Sequence, residues 1–386
     1  MGQEFTAKEM LSKLVSFDTV SHKTNLPLIQ FVSNYLESHN VKVNLLYNLA
    51  RTKANLYAEI GPSVPGGFIL SGHTDVVPVE GQEWNTNPFS LSEDSEKLYG
   101  RGTCDMKGFL AIVLAAVPNM KKANLKRPFQ LALSYDEEVG CLGAPSLIKE
   151  MQTKLPKAAA VFVGEPTMMK VVNSHKTSIG LQTYVRGFEV HSSIMHKGVS
   201  AIMTAAKLVN WISERTEENR QAKPSAADKH FDPPFSTLHV GLISGGTASN
   251  ITSKDCKFSL DIRCLPSESE MDWIKRYEFF AKSIEKEIQK VNAKSKILIE
   301  KHHYVPGLQS ENNCLAESLA CQITGNNGTN VVSYGTEAGQ YQRAGYSTVI
   351  CGPGSIEQAH QANEFLSLEQ LNLGKKFIQE VIKKLL

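Results

Sequence analysis

The sequence has no paired-cysteine spacing. Its 7 cysteines are irregularly placed and none forms a C-x-x-C pair, which argues against a disulfide framework or a cysteine zinc knuckle. A reducing cytoplasm is the expected compartment. No apolar run approaches the ~18–20 residues of a membrane span. The amino-terminal segment is polar and amphipathic, without the apolar stretch of a signal peptide. A basic arm is also missing: 41 basic and 39 acidic residues leave a formal charge of +2 spread along 386 residues. Neither nucleic acid nor a membrane is therefore an expected partner. Internal repeats and low-complexity segments are absent. A myristoylation-like start (Met1, Gly2, Thr6) and two sequons (Asn250-Ile251-Thr252, Asn327-Gly328-Thr329) are read as chance matches, since no export signal supports the sequons.

What the chain does have is a series of apolar segments ending in acids or imidazoles. In Gly66–Pro78 a glycine turn leads through Phe68, Ile69 and Leu70 to His73 and Asp75, two apart and so on one side of an extended segment. Alone, this reads as an ordinary strand end with a surface histidine and a turn-forming aspartate. Tyr99–Gly108, with Asp105 in it, precedes an apolar helix from Phe109 to about Met120. Strand Phe129–Tyr135 ends in Asp136-Glu137-Glu138, and the apolar run Ala159–Val163 ends in Gly164-Glu165-Pro166. Strands alternating with helices imply an α/β fold with a mostly parallel central sheet covered on both faces. Ligands of such sheets gather outside the carboxyl ends of the strands.

From about Thr177 to His303 the pattern changes to strand, helix, two alternating strands, a charged helix and a strand. This reads as an α+β unit with an antiparallel sheet, inserted at 177–303 into a domain made of 1–176 and 304–386. Near the amino terminus Thr6 and Glu9 form a capping box, and an amphipathic helix from about Leu366 to Leu385 closes the chain. His360 lies in the loop beyond Gly352-Pro353-Gly354.

Carboxylates crowded beside histidines, with no Lys or Arg among them, would repel one another and take up protons. A divalent metal resolves the crowding, and imidazole and carboxylate donors without thiolate suit zinc, cobalt or manganese. Two metals sharing a carboxylate need five ligands, and five are available. Here the motifs S-G-H-T-D-V-V-P, Y-G-R-G-x-x-D-M-K-G, D-E-E-x-G, G-E-P-T and a late A-H resemble, in order and over nearly the whole chain, the dinuclear zinc metallopeptidases that include aminoacylases, carboxypeptidases and succinyl-diaminopimelate desuccinylase.

The resemblance implies roles residue by residue. Asp105 would bridge two zinc ions, for which cobalt may substitute. His73 and Glu165 would hold one ion, Glu138 and His360 the other. Asp75 would orient His73, Glu137 would be the general base, and the Asp105–Met106 peptide would be cis. The inserted unit would act as a lid and as the contact of a homodimer. His191, in Arg186–Ser193, would help hold the oxyanion at the partner's site, with His196 a nearby competitor. Asn250 would contact the carbonyl and Arg263 the carboxylate of an acyl-amino-acid substrate. The segments Ser333–Gly339 and Cys351–Glu364, with Gly245–Asn250 and His175-Lys176, look most like a branch of amino-acid deacetylases. Substrates of that branch carry a carboxylate and a free side-chain ammonium. Glu337 would meet the ammonium, unless it caps the helix that begins there.

Overall fold

The computed structural model describes residues 2–328 and 330–386, so Met1 of the myristoylation pattern and Thr329 of the second sequon lie outside the described residues. Four strands, Phe68–His73, Phe129–Ser134, Ala160–Pro166 and Thr348–Gly352, are buried along their whole length. They pair in parallel in the order Phe129–Ser134, Phe68–His73, Ala160–Pro166, Thr348–Gly352. Continuous apolar runs of this kind need cover on both faces, and helices supply it. The sheet extends to eight strands: Ala54–Ile60 and Val43–Tyr47 on one side and Val172–His175 on the other pair antiparallel, and Asn330–Val332 forms the far edge.

Helix Lys107–Ala115 is buried from Lys107 to Leu114, as expected of a helix apolar all round. It ends earlier than the apolar run suggests, and a separate turn, Val117–Lys122, follows with Pro118 in its first positions. Proline is accommodated in a first helical turn but not in a helix interior. Helix Ala7–Val15 begins with the capping box between Thr6 and Glu9 and packs with Lys107–Ala115 and the closing helix Leu368–Lys383 in one core. Phe162 stacks edge-on between Phe68 and Phe377 in that core. A small three-stranded sheet, Ser92–Glu93, Lys97–Tyr99 and Phe365–Ser367, zips the segment before Asp105 to the segment after His360. Strands of two or three residues carry too little period-2 signal to be seen in sequence.

The chain divides into two compact units. The first comprises 1–174, 308–331 and 336–386, the second 175–307 and 332–335. The second unit has a four-stranded antiparallel sheet in the order Thr237–Gly245, Asp255–Cys264, Thr177–Arg186, Lys296–Val305. Helices Ala201–Gln221 and Glu270–Gln289 cover one face over a separate core. Alternating burial along Asp255–Cys264 matches a sheet with one face packed and one open.

Candidate metal centre

Strand ends deliver the site of the first unit. His73 ends Phe68–His73, Glu165 stands at the carboxyl end of Ala160–Pro166, and Glu137 and Glu138 follow Phe129–Ser134. The turn before helix Lys107–Ala115 presents Asp105, and the Asp105–Met106 peptide is cis. His360 sits in the irregular segment after Thr348–Gly352 with a left-handed φ of 64°. Gly164 lets its strand approach the covering helix: a Cβ there would lie 2.0 Å from the Phe109 ring.

The two oxygens of Asp105 face different partners. Oδ1 is 3.0 Å from His73 Nε2, and Oδ2 is 3.2 Å from His360 Nε2. Glu165 Oε1 lies 3.7 Å from His73 Nε2, and Glu138 Oε2 lies 2.9 Å from His360 Nε2. Ligand-capable atoms of His73, Glu137 and Glu165, and of His73, Asp105 and Glu138, fall within 4.8 Å of one another.

The electrostatics match the crowding. Burial pushes Glu137 up to about 8 and Glu138 up to about 7, with Asp105 raising both and Glu138 and Glu337 further raising Glu137. Burial and the charges of Asp105 and Glu137 hold Glu165 well above its usual range. Burial would also raise Asp105, but hydrogen bonds from His360 and His73 outweigh it and hold this carboxyl below the usual range. Hydrogen bonds to Asp105 and Glu138 raise His360 to about 10. Burial opposes the charge on His73, yet its carboxylate neighbours hold it above the usual imidazole range.

A cation fits this set. Glu138 Oε1 and Glu165 Oε1 are buried without a hydrogen-bond partner from the chain, a cost that buried polar atoms rarely bear. Two imidazoles and four carboxylates without thiolate are donors for zinc, cobalt or manganese.

Asp75 meets His73 chiefly through its main chain. His73 Nδ1 is 2.9 Å from the backbone carbonyl of Asp75, while the Asp75 carboxylate is 3.7 Å away. A carbonyl only accepts, so Nδ1 carries a proton, and Nε2, facing Asp105, is the ring nitrogen that a bound metal would take in place of its proton. The carboxylate is claimed instead by the Ser21 hydroxyl (2.7 Å) and the backbone N–H groups of Glu137 (3.1 Å) and Glu138 (3.4 Å). Asp75 thus aims the ring through its main chain and holds the Glu137–Glu138 loop through its side chain.

Glu337 is buried in the first unit. Ser134 and Ser71 hydroxyls hydrogen-bond to its two oxygens, the latter at 3.0 Å. It begins helix Ala338–Arg343 but its side chain caps nothing, so the capping alternative is not realised. Cys141, given no role from sequence, donates its thiol to Glu137 Oε1 at 3.2 Å. Arg101, Lys107 and Glu364 are likewise buried beside the site. They stand inside the quoted motifs, which was the signal available.

His191, Asn250 and Arg263 belong to the second unit. His191 is exposed, with Nδ1 2.8 Å from Ser193 Oγ, and the Asn250 carbonyl accepts the Ser192 N–H at 2.8 Å. Arg263 lies on strand Asp255–Cys264 and pairs with Asp261 at 3.0 Å.

Comparison with known proteins agrees with this architecture. The chain is 32% identical over 382 residues to acetylornithine deacetylase of Pasteurella multocida (strain Pm70), covering 97% of this chain and 96% of the relative. It is 32% identical to acetylornithine deacetylase of Myxococcus xanthus over 94% and 92% of the two chains. Among solved structures, the metallo-carboxypeptidase Sso-CP2 of Sulfolobus solfataricus superposes with a TM-score of 0.77 at 18% identity, covering 98% of this chain and 99% of that one. YXEP of Bacillus subtilis, described as a dinuclear metal-binding peptidase, has a TM-score of 0.65 at 14% identity over 98% and 97%. Residues 69–384 match the family described as Peptidase family M20/M25/M40, and with that extent of agreement the chain belongs to this family.

Proposed function

We propose that the protein is a two-metal amidohydrolase that cleaves N2-acetyl-L-ornithine to L-ornithine and acetate. The observation that carries the hydrolytic reading is Asp105 with one oxygen toward His73 and the other toward His360, beside Glu137. In this reading His73 and Glu165 hold one ion, Glu138 and His360 the other, and Asp105 serves both. Bound zinc or cobalt supplies Lewis acidity toward water and toward an amide carbonyl. Glu137 takes a proton from the attacking water. The water oxygen bonds to the acetyl carbon, the C–N bond breaks, and Glu137 delivers the proton to the leaving nitrogen. The Cys141 thiol occupies Oε1 of Glu137, so Oε2 is the oxygen left for that transfer.

The deacetylase relatives support the choice of substrate, and the same reading makes this a cytoplasmic enzyme of arginine synthesis. The roles of His191, Asn250 and Arg263 toward the substrate rest on the family resemblance alone, as does a lid function for the second unit. A homodimer through that unit is supported by its open edge strand, Thr237–Gly245, which exposes Leu242 and Ile243.

A panel of N-acetyl, N-succinyl and peptide substrates, assayed with added zinc or cobalt, tests the proposal. The highest kcat/KM is expected on acetylornithine. Preference for succinyl-diaminopimelate, neutral acyl-amino acids or dipeptides would reassign the substrate, and two bound ions without turnover of any member would end the enzyme reading.

A further inference from the structure

His360 is the one member of the metal centre whose side chain is half exposed, at 50%. Packing therefore does little to hold it, and it lies in a segment without helix or strand between Gly352 and Phe365, apart from a single bridge at Ser355. Its partner Asp105 comes from a second irregular segment. Something must fix the distance between the two.

A buried ion pair joins these segments. Glu364 is 1% exposed, and so is Arg101. Oε1 of Glu364 accepts the backbone N–H groups of Cys104 at 2.8 Å and Asp105 at 3.0 Å. Oε2 accepts the Gly102 N–H at 2.9 Å and Arg101 Nη1 at 2.8 Å. One carboxylate thus binds three backbone N–H groups of the turn that presents Asp105. The guanidinium reaches the other way: Nη1 donates to the Gln361 carbonyl at 3.2 Å, and Nη2 to the Pro78 carbonyl and the Gln82 side chain. Gln82 in turn donates to the His360 carbonyl at 2.8 Å. The main-chain carbonyls of His360 and Gln361 are therefore tied, within two links, to the Asp105 turn.

We propose that the Arg101–Glu364 pair is a positioning device that sets the spacing between Asp105 and His360, and so governs occupancy of the metal position those residues share with Glu138. The position on the His73 and Glu165 side shares Asp105 but takes its other two residues from elsewhere. His73 and Glu165 are held by strands of the central sheet and their placement does not pass through the pair. The inference rests on the two-metal reading above. Partners of this kind, one step behind the ligands, typically change metal affinity by 10–100-fold when removed.

Cobalt titration of the metal-stripped chain, followed by calorimetry and by the visible absorption of bound cobalt, tests it with readouts other than turnover. The unaltered chain is expected to take two equivalents; fewer would overturn the two-metal reading itself. In Glu364→Gln, where an amide replaces one acceptor oxygen, the first equivalent is expected to bind within about twofold of normal and the second at least tenfold more weakly. His360→Ala should weaken the same equivalent, and the double variant should lose nothing further. Arg101→Lys keeps the charge but gives up the forked contacts, so it provides a milder second variant if Glu364→Gln does not fold. Two unchanged equivalents in the folded variants would overturn the proposal, as would equal weakening of both, the pattern of a merely structural role.

Discussion

The partners of Asp75 and Glu337 come from segments far from their own motifs. The Asp75 carboxylate accepts the backbone N–H groups of Glu137 and Glu138 and the Ser21 hydroxyl. Asp75→Asn is therefore expected to keep both metal equivalents, because His73 is aimed by a main-chain carbonyl, while kcat falls on the order of 10–100-fold as the Glu137 loop loosens. Metal analysis beside steady-state kinetics checks this, and clean loss of one ion would make Asp75 a ligand instead. Each Glu337 oxygen accepts one serine hydroxyl, and a carboxylate has lone pairs left for a cation. With Glu337→Gln, the preference for acetylornithine over acetylnorleucine should fall about tenfold, since the amide no longer rewards an ammonium. An unchanged ratio would remove Glu337 from specificity.

At the scale of elements, the strands that end in site residues were legible because three buried runs stand out in the sequence. Their ends were read only to within a few residues: Ala160–Pro166 carries Glu165 inside the strand, not beyond it. The three-stranded sheet that aligns the Asp105 and His360 segments was not legible, since its strands are two or three residues long. The second unit's edge strand carries the element-scale prediction. Thr237–Gly245 pairs on one side only and exposes Leu242 at 76% and Ile243 at 55%, the kind of edge that invites a second chain. Leu242→Lys with Ile243→Lys is expected to convert the proposed dimer to a monomer by light scattering with little change in melting temperature. A double variant that keeps the dimer's mass would remove this edge from the interface.

For the whole molecule, the crowded acids make stability depend on pH and metal together. Glu137 and Glu138, raised by burial to about 8 and about 7, and His360, raised by its carboxylate partners to about 10, hold protons in the folded, metal-free chain that the unfolded chain has released. The folded state thus binds more protons across the window from about pH 5 to 10, and stability falls as pH rises through it. Asp105, held low, acts in the opposite sense only in acid. Metal-stripped protein is expected to melt roughly 5 °C lower at pH 8.5 than at pH 5.5. Saturating zinc should flatten or reverse that slope, because metal and protons compete for the same ligands. Calorimetry at the two pH values decides it; a stripped chain that gains stability toward pH 8.5 contradicts the crowding.

The sequence by itself determined the alternation of strands and helices, the parallel core, the antiparallel unit within it and the family motifs, because each is written in local periodicity or in short runs of neighbouring residues. Tertiary structure alone decided which oxygen faces which partner. Asp105 meets His73 and His360 across separations of 32 and 255 positions, and Glu364 reaches Cys104 and Asp105 across about 260. No local pattern encodes a hydrogen bond of that span. The stretch Gly66–Pro78 advertised an imidazole and a carboxylate two apart; only the folded chain assigned the ring to a main-chain carbonyl and the carboxylate to the neighbouring loop.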